Sequence, residues 1–357
     1  MLRRQPLTAD FDATVLAAAL PRHVHAGYMR YREFEPIACG GKAEVFRCVD
    51  GNLGREIALK VLHRHLADSP LEQQLLVREA RIMAALRHPA IPEIHDLGRD
   101  SDGRPYFAMS LKRGPTLHQI LTSLRNNDPV VVRAYDLERL LGVLIQTAET
   151  LRYAHAMNVV HCDLKPENIL IDAGDRAHLL DWGLAVINAD ERREDGCPTV
   201  RERGCQGSPL YMAPEQVPGD QPLTTAVDVY GLGVLLYECL TLDTPCRGKT
   251  TIETLRGVLE RDPTPPRALA PERGIPTELE AACLRALRKS PAERFASIHE
   301  FCDVLVDCRA ELLTSFERDE ASLRYGLGEL GAWSDIDEAQ RPTQRRAEPG
   351  AELRSLV

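Results

Sequence analysis

The chain of 357 residues lacks the sequence features that mark several large classes of protein. Its ten cysteines include no C-x-x-C pair, so no zinc-ligand set has the usual close spacing. A chain of this length builds a hydrophobic core without a disulfide framework, and reduced thiols in the cytosol are the expected state. The formal net charge of −9 argues against a general binder of nucleic acids or of anionic membranes.

Long apolar runs are also scarce. The longest, from Val227 to Leu242, contains Asp228 and Glu238 and is too short to span a bilayer. Another run, from Val15 to Leu20, follows two arginines, but Asp10 and Asp12 lie shortly before it. A brief amphipathic helix is therefore favoured there over the core of a signal peptide. We expect no membrane span and a cytoplasmic location.

The period of the hydrophobic pattern changes along the chain. Short alternating runs, separated by glycine-bearing turns, predict an antiparallel meander with one helix and two further strands. The predicted strands cover residues 34–37, 44–48, 56–62, 94–97 and 106–110, and the helix covers residues 71–87. After Thr116 a helical period predicts helices over residues 137–157, 226–241, 252–260, 277–288 and 298–313.

These patterns predict an α+β fold with two lobes, a small antiparallel β lobe with one main helix and a larger helical lobe. We expect residues 1–26 to be an N-terminal extension and residues 27–314 to form the bilobal domain, divided into lobes 27–110 and 111–314. Residues 315–357 lose the helical period and are rich in charged residues and glycine. They are expected to form a polar, partly disordered C-terminal tail.

An ion pair is expected inside the small lobe. Lys60 shares the apolar face of its predicted strand with Ala58 and Leu62, because alternate residues of a strand point to the same side. Glu79 lies within the apolar stripe of the following helix. A carboxylate on a buried face is unfavourable unless it is paired, so Glu79 is the predicted partner of Lys60.

Two short strings contain most of the candidate chemistry. Residues 161–168 read H-C-D-L-K-P-E-N, and residues 181–183 read D-W-G. Together they supply two carboxylates, one amide and one lysine. Phosphoryl transfer from a metal-bound nucleotide needs such groups, since oxygens bind Mg²⁺, a carboxylate orients the acceptor hydroxyl and a cation neutralises the transferred phosphoryl group.

H-x-D-L-K-x-x-N, D-W-G and the A-P-E at residues 213–215 resemble, in this order, the protein kinase catalytic domain. The K-P-E-N string is typical of the serine/threonine branch, and Y-M-A-P-E-Q at residues 211–216 is similar to the eukaryotic-like kinases of bacteria. The resemblance extends from about Tyr31 to about Val306. It implies the bilobal kinase fold, ATP with Mg²⁺ as the phosphoryl donor, and a serine or threonine of a protein substrate as the acceptor.

The resemblance also implies roles for individual residues. Asp163 would align the acceptor hydroxyl, Lys165 would neutralise the moving phosphoryl group, and Asn168 and Asp181 would bind Mg²⁺. The implied nucleotide-binding residues are Ile37, Ala38, Gly40, Gly41, Val45, Ala58, Lys60, Glu79, Met109, Ser110 and Leu111. Structural roles fall on His161, Ser208, Glu215, Asp228 and Arg294.

Three of these structural roles predict specific contacts. Ser208 would bridge the catalytic aspartate and lysine, and Glu215 would pair with Arg294. Asp228 would anchor the backbone of the catalytic loop, although its position at the start of an apolar helix also fits an N-cap.

Several positions depart from the family pattern. Ala38 and Ala43 stand where the glycine-rich loop usually has glycines, so a plain hairpin turn explains this loop as well. Cys162 replaces the arginine that pairs with a phosphorylated activation loop, which predicts activity without loop phosphorylation. Trp182 replaces the phenylalanine of D-F-G. Thr199 is the candidate site of autophosphorylation, within a stretch that also fits a solvated loop of mixed charge.

Two other functions stay open at this point. A small-molecule phosphotransferase of the aminoglycoside or choline kinase type shares the H-x-D-x-x-x-x-N loop, but Lys165, the A-P-E string and Arg294 favour a protein substrate. A pseudokinase scaffold is supported only by Cys162 and the missing glycines of the loop.

Overall fold

The computed structural model of the protein describes residues 26–187, 207–219 and 222–329. It confirms the predicted α+β fold, a small β lobe followed by a larger helical lobe. The small lobe contains a five-stranded antiparallel sheet in the order β1-β2-β3-β5-β4. Its strands are β1 (Tyr31–Cys39), β2 (Ala43–Asp50), β3 (Arg55–Leu62), β4 (Ile94–Arg99) and β5 (Pro105–Ser110).

Each predicted strand is present, and β1 differs most from its prediction. It covers Tyr31–Cys39 instead of residues 34–37, and every residue after Tyr31 is exposed. An edge strand that buries so little of its surface has no apolar alternation to mark its ends.

Helix α1 (Pro70–Ala85) packs against β3, β4 and β5. Its start is encoded locally, because the Ser69 hydroxyl accepts a hydrogen bond from the Glu72 N–H and a proline occupies the first helical position. The buried face includes Leu75, Ile82 and Met83, and Glu79 is buried among them. The predicted apolar stripe of α1 therefore lies against the sheet, and the Glu79 carboxylate is buried between the helix and the sheet.

The larger lobe is mainly helical. Its helices are α2 (Leu117–Arg125), α3 (Pro129–Ala134), α4 (Leu137–Ala156), α5 (Ala226–Thr241), α6 (Thr251–Glu260), α7 (Pro266–Leu269), α8 (Thr277–Ala286) and α9 (Ile298–Glu329). Helix α5 is buried along almost its whole length and packs against α4 and α8, so it forms the centre of the lobe.

Two short strand pairs position the candidate site. Strand β6 (Val159–Val160) pairs with β9 (Val186–Ile187), and β7 (Ile169–Ile171) pairs with β8 (Ala177–Leu179). The loop with H-C-D-L-K-P-E-N lies between β6 and β7, and D-W-G lies between β8 and β9. Strands β6 and β7 flank the loop, and their partners β9 and β8 flank D-W-G. The loop and D-W-G must therefore lie side by side.

The predicted end of helix α9 is wrong. The helix continues to Glu329, whereas the loss of apolar period predicted its end at Leu313. An apolar stripe reports a face that is buried, while the backbone needs only residues of good helix propensity, and Glu, Arg and Leu supply seven of the sixteen residues 314–329. The predicted helix at Val15–Leu20 and the end of the tail lie outside the described residues.

Within residues 26–187, 207–219 and 222–329, no helix combines the length and the apolar character needed to cross a membrane.

Candidate active site

The backbone of the loop at residues 161–168 is held by one buried carboxylate. Asp228, which is 1% exposed, accepts hydrogen bonds from the backbone N–H of His161 at 2.8 Å and of Cys162 at 2.9 Å. His155 donates to the same carboxylate through Nε2 at 2.8 Å. Thr225 occupies the N-cap position of α5, so the capping interpretation of Asp228 is wrong and the predicted anchoring contact is present.

The charge of Asp228 is stabilised where it lies. Burial alone would raise the pKa of this carboxyl, but the hydrogen bonds from His155 and from the loop backbone lower it below its ordinary value. The anchored loop includes Cys162 with φ of 66°, a left-handed conformation that is unfavourable by about 1–2 kcal/mol for a residue with a Cβ. The two hydrogen bonds to Asp228 hold this backbone in place.

Asp163 lies within the same loop and is 8% exposed. Its Oδ2 accepts a hydrogen bond from Lys165 Nζ at 2.6 Å, and its backbone carbonyl accepts one from Asn168 Nδ2 at 2.9 Å. The backbone N–H of Asp163 donates to His161 Nδ1 at 3.2 Å. The loop therefore gathers the predicted carboxylate, lysine and amide within hydrogen-bonding distance of one another.

The D-W-G string lies against this loop. Leu180 N–H donates to the Asn168 carbonyl at 2.8 Å, and the His161 ring contacts the Leu180 carbonyl at 3.2 Å. Trp182 is fully buried and packs edge-on against His161, with 4.7 Å between ring centroids. His161 therefore lies between the two strings and contacts both of them.

Lys60 connects the two lobes. Its Nζ donates to Glu79 Oε1 at 2.7 Å and to Asp181 Oδ1 at 2.9 Å. The predicted ion pair between Lys60 and Glu79 is therefore present, and Asp181 joins it from the larger lobe. A Cβ at Gly183 would lie 3.3 Å from Asp181 Oδ1 and 3.4 Å from Glu79 Oε2, so glycine is suited to this crowded position.

Burial and pairing act in opposite directions on these three groups. Burial raises the pKa of Glu79, and Lys60 opposes that rise. Burial also disfavours the charged form of Lys60, but the two carboxylates outweigh it and raise the pKa of the ammonium group. Burial would raise the pKa of Asp181, yet the neighbouring Lys60 holds it below its ordinary range. Lys60 and Asp181 are therefore charged at neutral pH.

The predicted nucleotide residues of the sheet share one face with Lys60. Val45 is directly opposite Lys60 on the neighbouring strand, and Ala58 is opposite Met109. Residues paired across neighbouring strands, and alternate residues of one strand, point to the same side of a sheet. The side chains of Val45, Ala58, Lys60 and Met109 therefore line one face. Phe107 is the second partner of Lys60 and lies under its ammonium group at 5.9 Å.

The other predicted nucleotide residues border this face. Ile37 and Ala38 lie near the end of β1, and Gly40 and Gly41 lie in the turn to β2, which the Gly40 N–H closes on the Ala43 carbonyl at 2.9 Å. At the opposite border, Ser110 ends β5, and its hydroxyl accepts a hydrogen bond from the Glu93 N–H at 3.0 Å. Leu111 follows at the connection between the lobes.

Glu215 and Arg294 form the predicted pair. Two parallel contacts of 2.6 Å and 2.7 Å join their side chains, and the side chain of Arg294 is fully buried. Arg294 also donates to the backbone carbonyls of Ala226, Arg288 and Lys289, which connects the A-P-E string to the start of α5 and to the segment after α8.

One predicted contact takes a different form. Ser208 reaches Asp163 Oδ1 through its backbone N–H at 3.3 Å, whereas the resemblance implied a contact through the hydroxyl. Gly207, with φ of 124°, precedes it and turns this N–H toward Asp163. Thr199, the candidate phosphorylation site, lies outside the described residues.

Sequence reasoning missed three residues that connect the parts of the site. Arg78 Nη1 donates to the Ala185 carbonyl at 2.6 Å, Gln216 Nε2 donates to the Cys162 carbonyl at 2.9 Å, and His155 supports Asp228. Two of these bonds end on backbone carbonyls, which leave no mark in the side-chain pattern.

The donor set suits Mg²⁺ that arrives with a nucleotide. In the described part of the chain, no three His, Cys, Asp or Glu side chains are arranged to hold a metal ion by themselves. Mg²⁺ is often bound through one or two protein oxygens together with phosphate oxygens and water. Asp181 supplies a carboxylate of lowered pKa, and Asn168 uses its amide N–H toward Asp163, which leaves the amide oxygen for a cation.

Comparisons with known proteins agree with this geometry. The family described as the protein kinase domain matches residues 31–304. A probable serine/threonine-protein kinase of Streptomyces coelicolor is 33% identical over 274 residues, which cover 76% of this chain and 38% of that protein. Serine/threonine-protein kinase PknB of Mycobacterium tuberculosis is 32% identical over 274 residues, or 76% of this chain and 41% of the relative.

Serine/threonine-protein kinase PknD of Chlamydia pneumoniae is 33% identical over 285 residues, or 76% of this chain and 30% of the relative. The chain thus spans less than half the length of each of these relatives.

Proposed function

The chain belongs to the protein kinase family, and on this premise we propose that it transfers the γ-phosphoryl group of ATP, with Mg²⁺, to serine or threonine hydroxyls of a protein substrate. One observation supports the proposal most strongly: Lys60 Nζ lies 2.7 Å from Glu79 and 2.9 Å from Asp181, beside the loop that contains Asp163, Lys165 and Asn168. In this proposal Lys60 is the cation for the phosphates, Asp181 and Asn168 are the metal ligands and Asp163 is the base, and their short contacts support it.

The nucleotide is proposed to lie between the glycine turn and the larger lobe. Val45 and Ala58 would contact the adenine, next to Met109, and the backbone of Ser110 and Leu111 would accept and donate its hydrogen bonds. Lys60 would bind the α- and β-phosphates while Glu79 holds its ammonium group in place.

The open space at the glycine turn favours a phosphate loop over a plain hairpin. A Cβ at Gly41 would meet no atom within 4 Å, and neither Gly40 nor Gly41 has a positive φ. The packing of the chain therefore does not require glycine at these positions. A phosphate that approaches the backbone N–H groups closely gives a reason for the missing side chains.

The residues of the catalytic loop would act mainly by orientation and charge. Asp163 would accept a hydrogen bond from the substrate hydroxyl and align its oxygen with the phosphorus atom, and Lys165 would stabilise the charge on the transferred group. Mg²⁺, when bound by Asp181 and Asn168, would neutralise the phosphate oxygens. The contact of 2.6 Å between Lys165 Nζ and Asp163 Oδ2 supports a shared position for both residues, beside the phosphoryl group that is transferred.

Activity is proposed not to depend on phosphorylation of the activation loop. Cys162 stands where the family arginine would bind a phosphothreonine, and its backbone is held by Asp228 and Gln216 without any phosphate. The double variant Thr199→Val/Ser208→Ala should retain at least a tenth of the activity. If it is inactive and Thr199→Glu restores activity to a Ser208→Ala enzyme, the proposal is wrong.

Autophosphorylation at Thr199 would then be a by-product of the kinase activity.

Buried cysteines such as Cys48, Cys239 and Cys283 are thiols rather than halves of disulfides, which supports a reducing, cytoplasmic location.

A competition between acceptors tests the function. The purified protein, MgATP, a mixture of unstructured basic and acidic proteins, and aminoglycosides or choline are incubated together, and each product is measured by mass spectrometry. We expect phosphate on serine and threonine residues of proteins. Phosphate on the small alcohols alone would favour a small-molecule phosphotransferase, and transfer to neither acceptor, with nucleotide bound, would indicate a pseudokinase.

A further inference from the structure

Helix α1 is attached to its surroundings through two successive residues. Glu79, which is 5% exposed, holds Lys60 at 2.7 Å. Arg78, which is 9% exposed, donates from Nη1 to the Ala185 carbonyl at 2.6 Å. Successive residues of a helix point about 100° apart, so one turn of α1 contacts both the sheet of the small lobe and a segment of the larger lobe.

The acceptor of the Arg78 bond is itself held firmly. Ala185 is fully buried, and its N–H donates to the Trp182 carbonyl at 3.1 Å. The next residue, Val186, pairs with Val160 in β6, directly before the catalytic loop begins. The Ala185 carbonyl is therefore fixed relative to both D-W-G and the catalytic loop.

This connection is made without a phosphate group. A guanidinium bond to a buried carbonyl is charge-assisted and stronger than a bond between neutral groups. It begins at the residue next to Glu79, so a displacement of α1 that separated Glu79 from Lys60 would also break it. Position 162, from which the family arginine would order the same region, has a thiol instead.

We propose that Arg78 is a positioning residue that holds helix α1, and with it Glu79, in the catalytic orientation through its bond to the Ala185 carbonyl. This inference rests on the proposed kinase function and names the element that takes over from loop phosphorylation. The guanidinium keeps Lys60 in place for the phosphates and fixes the start of the activation segment, which follows D-W-G.

Arg78→Met tests this role, since methionine keeps the apolar stem and loses every N–H donor. Arg81→Met is the matched control, because Arg81 lies on the same helix and is exposed. Both variants are made in a Trp333→Phe background, which leaves Trp182 as the only tryptophan of the chain. Steady-state kinetics with ATP and a protein substrate are combined with the emission spectrum of Trp182 in the absence of nucleotide.

We expect Arg78→Met to raise the KM for ATP, to lower kcat, and to reduce kcat/KM by about 10-fold to 100-fold, the range for loss of one charge-assisted hydrogen bond. Trp182, which is fully buried, should shift its emission to the red as the segment loosens. Arg81→Met should match the parent in all three quantities. A role in stability alone would lower the active fraction and leave the KM for ATP unchanged.

The inference is overturned if Arg78→Met matches Arg81→Met in kinetics and in emission. If the methionine variant does not fold, Arg78→Gln takes its place, because the shorter amide does not reach Ala185 in the same way, and parent-like behaviour of that variant also overturns the inference. If the parent itself phosphorylates no protein, the kinase function fails, while the Trp182 spectra of the variants still report separately on the Arg78 contact.

Discussion

Replacement of Asp228 by asparagine is the sharpest test of how the catalytic loop is held. The carboxylate accepts two backbone N–H groups and the His155 ring, each at 2.8 to 2.9 Å, and is 1% exposed. Asparagine has nearly the same shape but only one acceptor oxygen. Its NH₂ group would face a donor, so at least one buried N–H would lose its partner.

The magnitude follows from the hydrogen bonds that asparagine cannot accept. A buried donor without an acceptor destabilises a protein by about 1–3 kcal/mol, and the weakened support of His155 adds to this. We expect Asp228→Asn to destabilise the protein by about 2–4 kcal/mol, which lowers Tm by about 5–15 °C for a lobe of this size. Because asparagine is as good an N-cap as aspartate, a capping role would predict almost no change.

Thermal unfolding followed by circular dichroism measures the shift, and kinase assays at saturating ATP measure kcat. The control is Asp243→Asn, an aspartate whose side chain is 52% exposed and pairs with Arg247 on the surface. It should leave Tm and kcat unchanged. In Asp228→Asn the loosened loop should lower kcat at least tenfold, because Asp163 loses its alignment. A Tm and a kcat that both match those of Asp243→Asn would refute the anchoring role.

Three further predictions concern the rest of the site. Glu215→Gln should destabilise the protein by about 3–5 kcal/mol, because the buried charge of Arg294 would lose its partner. The control Glu260→Gln, in an exposed pair, should leave Tm unchanged. Equal changes of Tm in the two variants would contradict this prediction. Iodoacetamide at pH 8 should modify exposed Cys39 before the buried Cys48 and Cys302, because burial raises the pKa of Cys48 to about 12 and that of Cys302 to about 11. MgATP should slow the modification of Cys39. Equal modification rates of the three cysteines, measured by mass spectrometry, would be inconsistent with the packing. Asp181→Ala should remove the dependence of nucleotide affinity on Mg²⁺, measured by calorimetry with and without EDTA, and an unchanged dependence would exclude Asp181 as a ligand.

The parts of the site predicted from the sequence are those where an unfavourable side chain needs one specific partner. Glu79 interrupts an apolar stripe and Lys60 interrupts an apolar strand face, so burial of both faces requires that they meet. Helix α5 was predicted with the bounds Ala226–Thr241 that the structure has, because its residues are apolar on all sides.

The parts that sequence reasoning missed depend on backbone atoms. Arg78 looks like an ordinary exposed residue beside the stripe, yet it is buried because its acceptor is the Ala185 carbonyl. Ser208 reaches Asp163 through an N–H that every residue except proline possesses. Helix α9 continues to Glu329 because helix propensity requires no apolar face. None of these features leaves a pattern of side chains.

The most direct measurement follows the γ-phosphoryl group itself. ATP labelled with ¹⁸O at the γ-phosphoryl oxygens is mixed with Mg²⁺, a protein substrate and either the natural chain or Asp163→Asn, and mass spectrometry locates the label. We expect labelled phosphate on serine and threonine residues with the natural chain, and a rate at least 100-fold lower with Asp163→Asn, which should still bind MgATP with unchanged affinity. Equal labelling by the two proteins, or no labelled serine or threonine with the natural chain, would contradict the account.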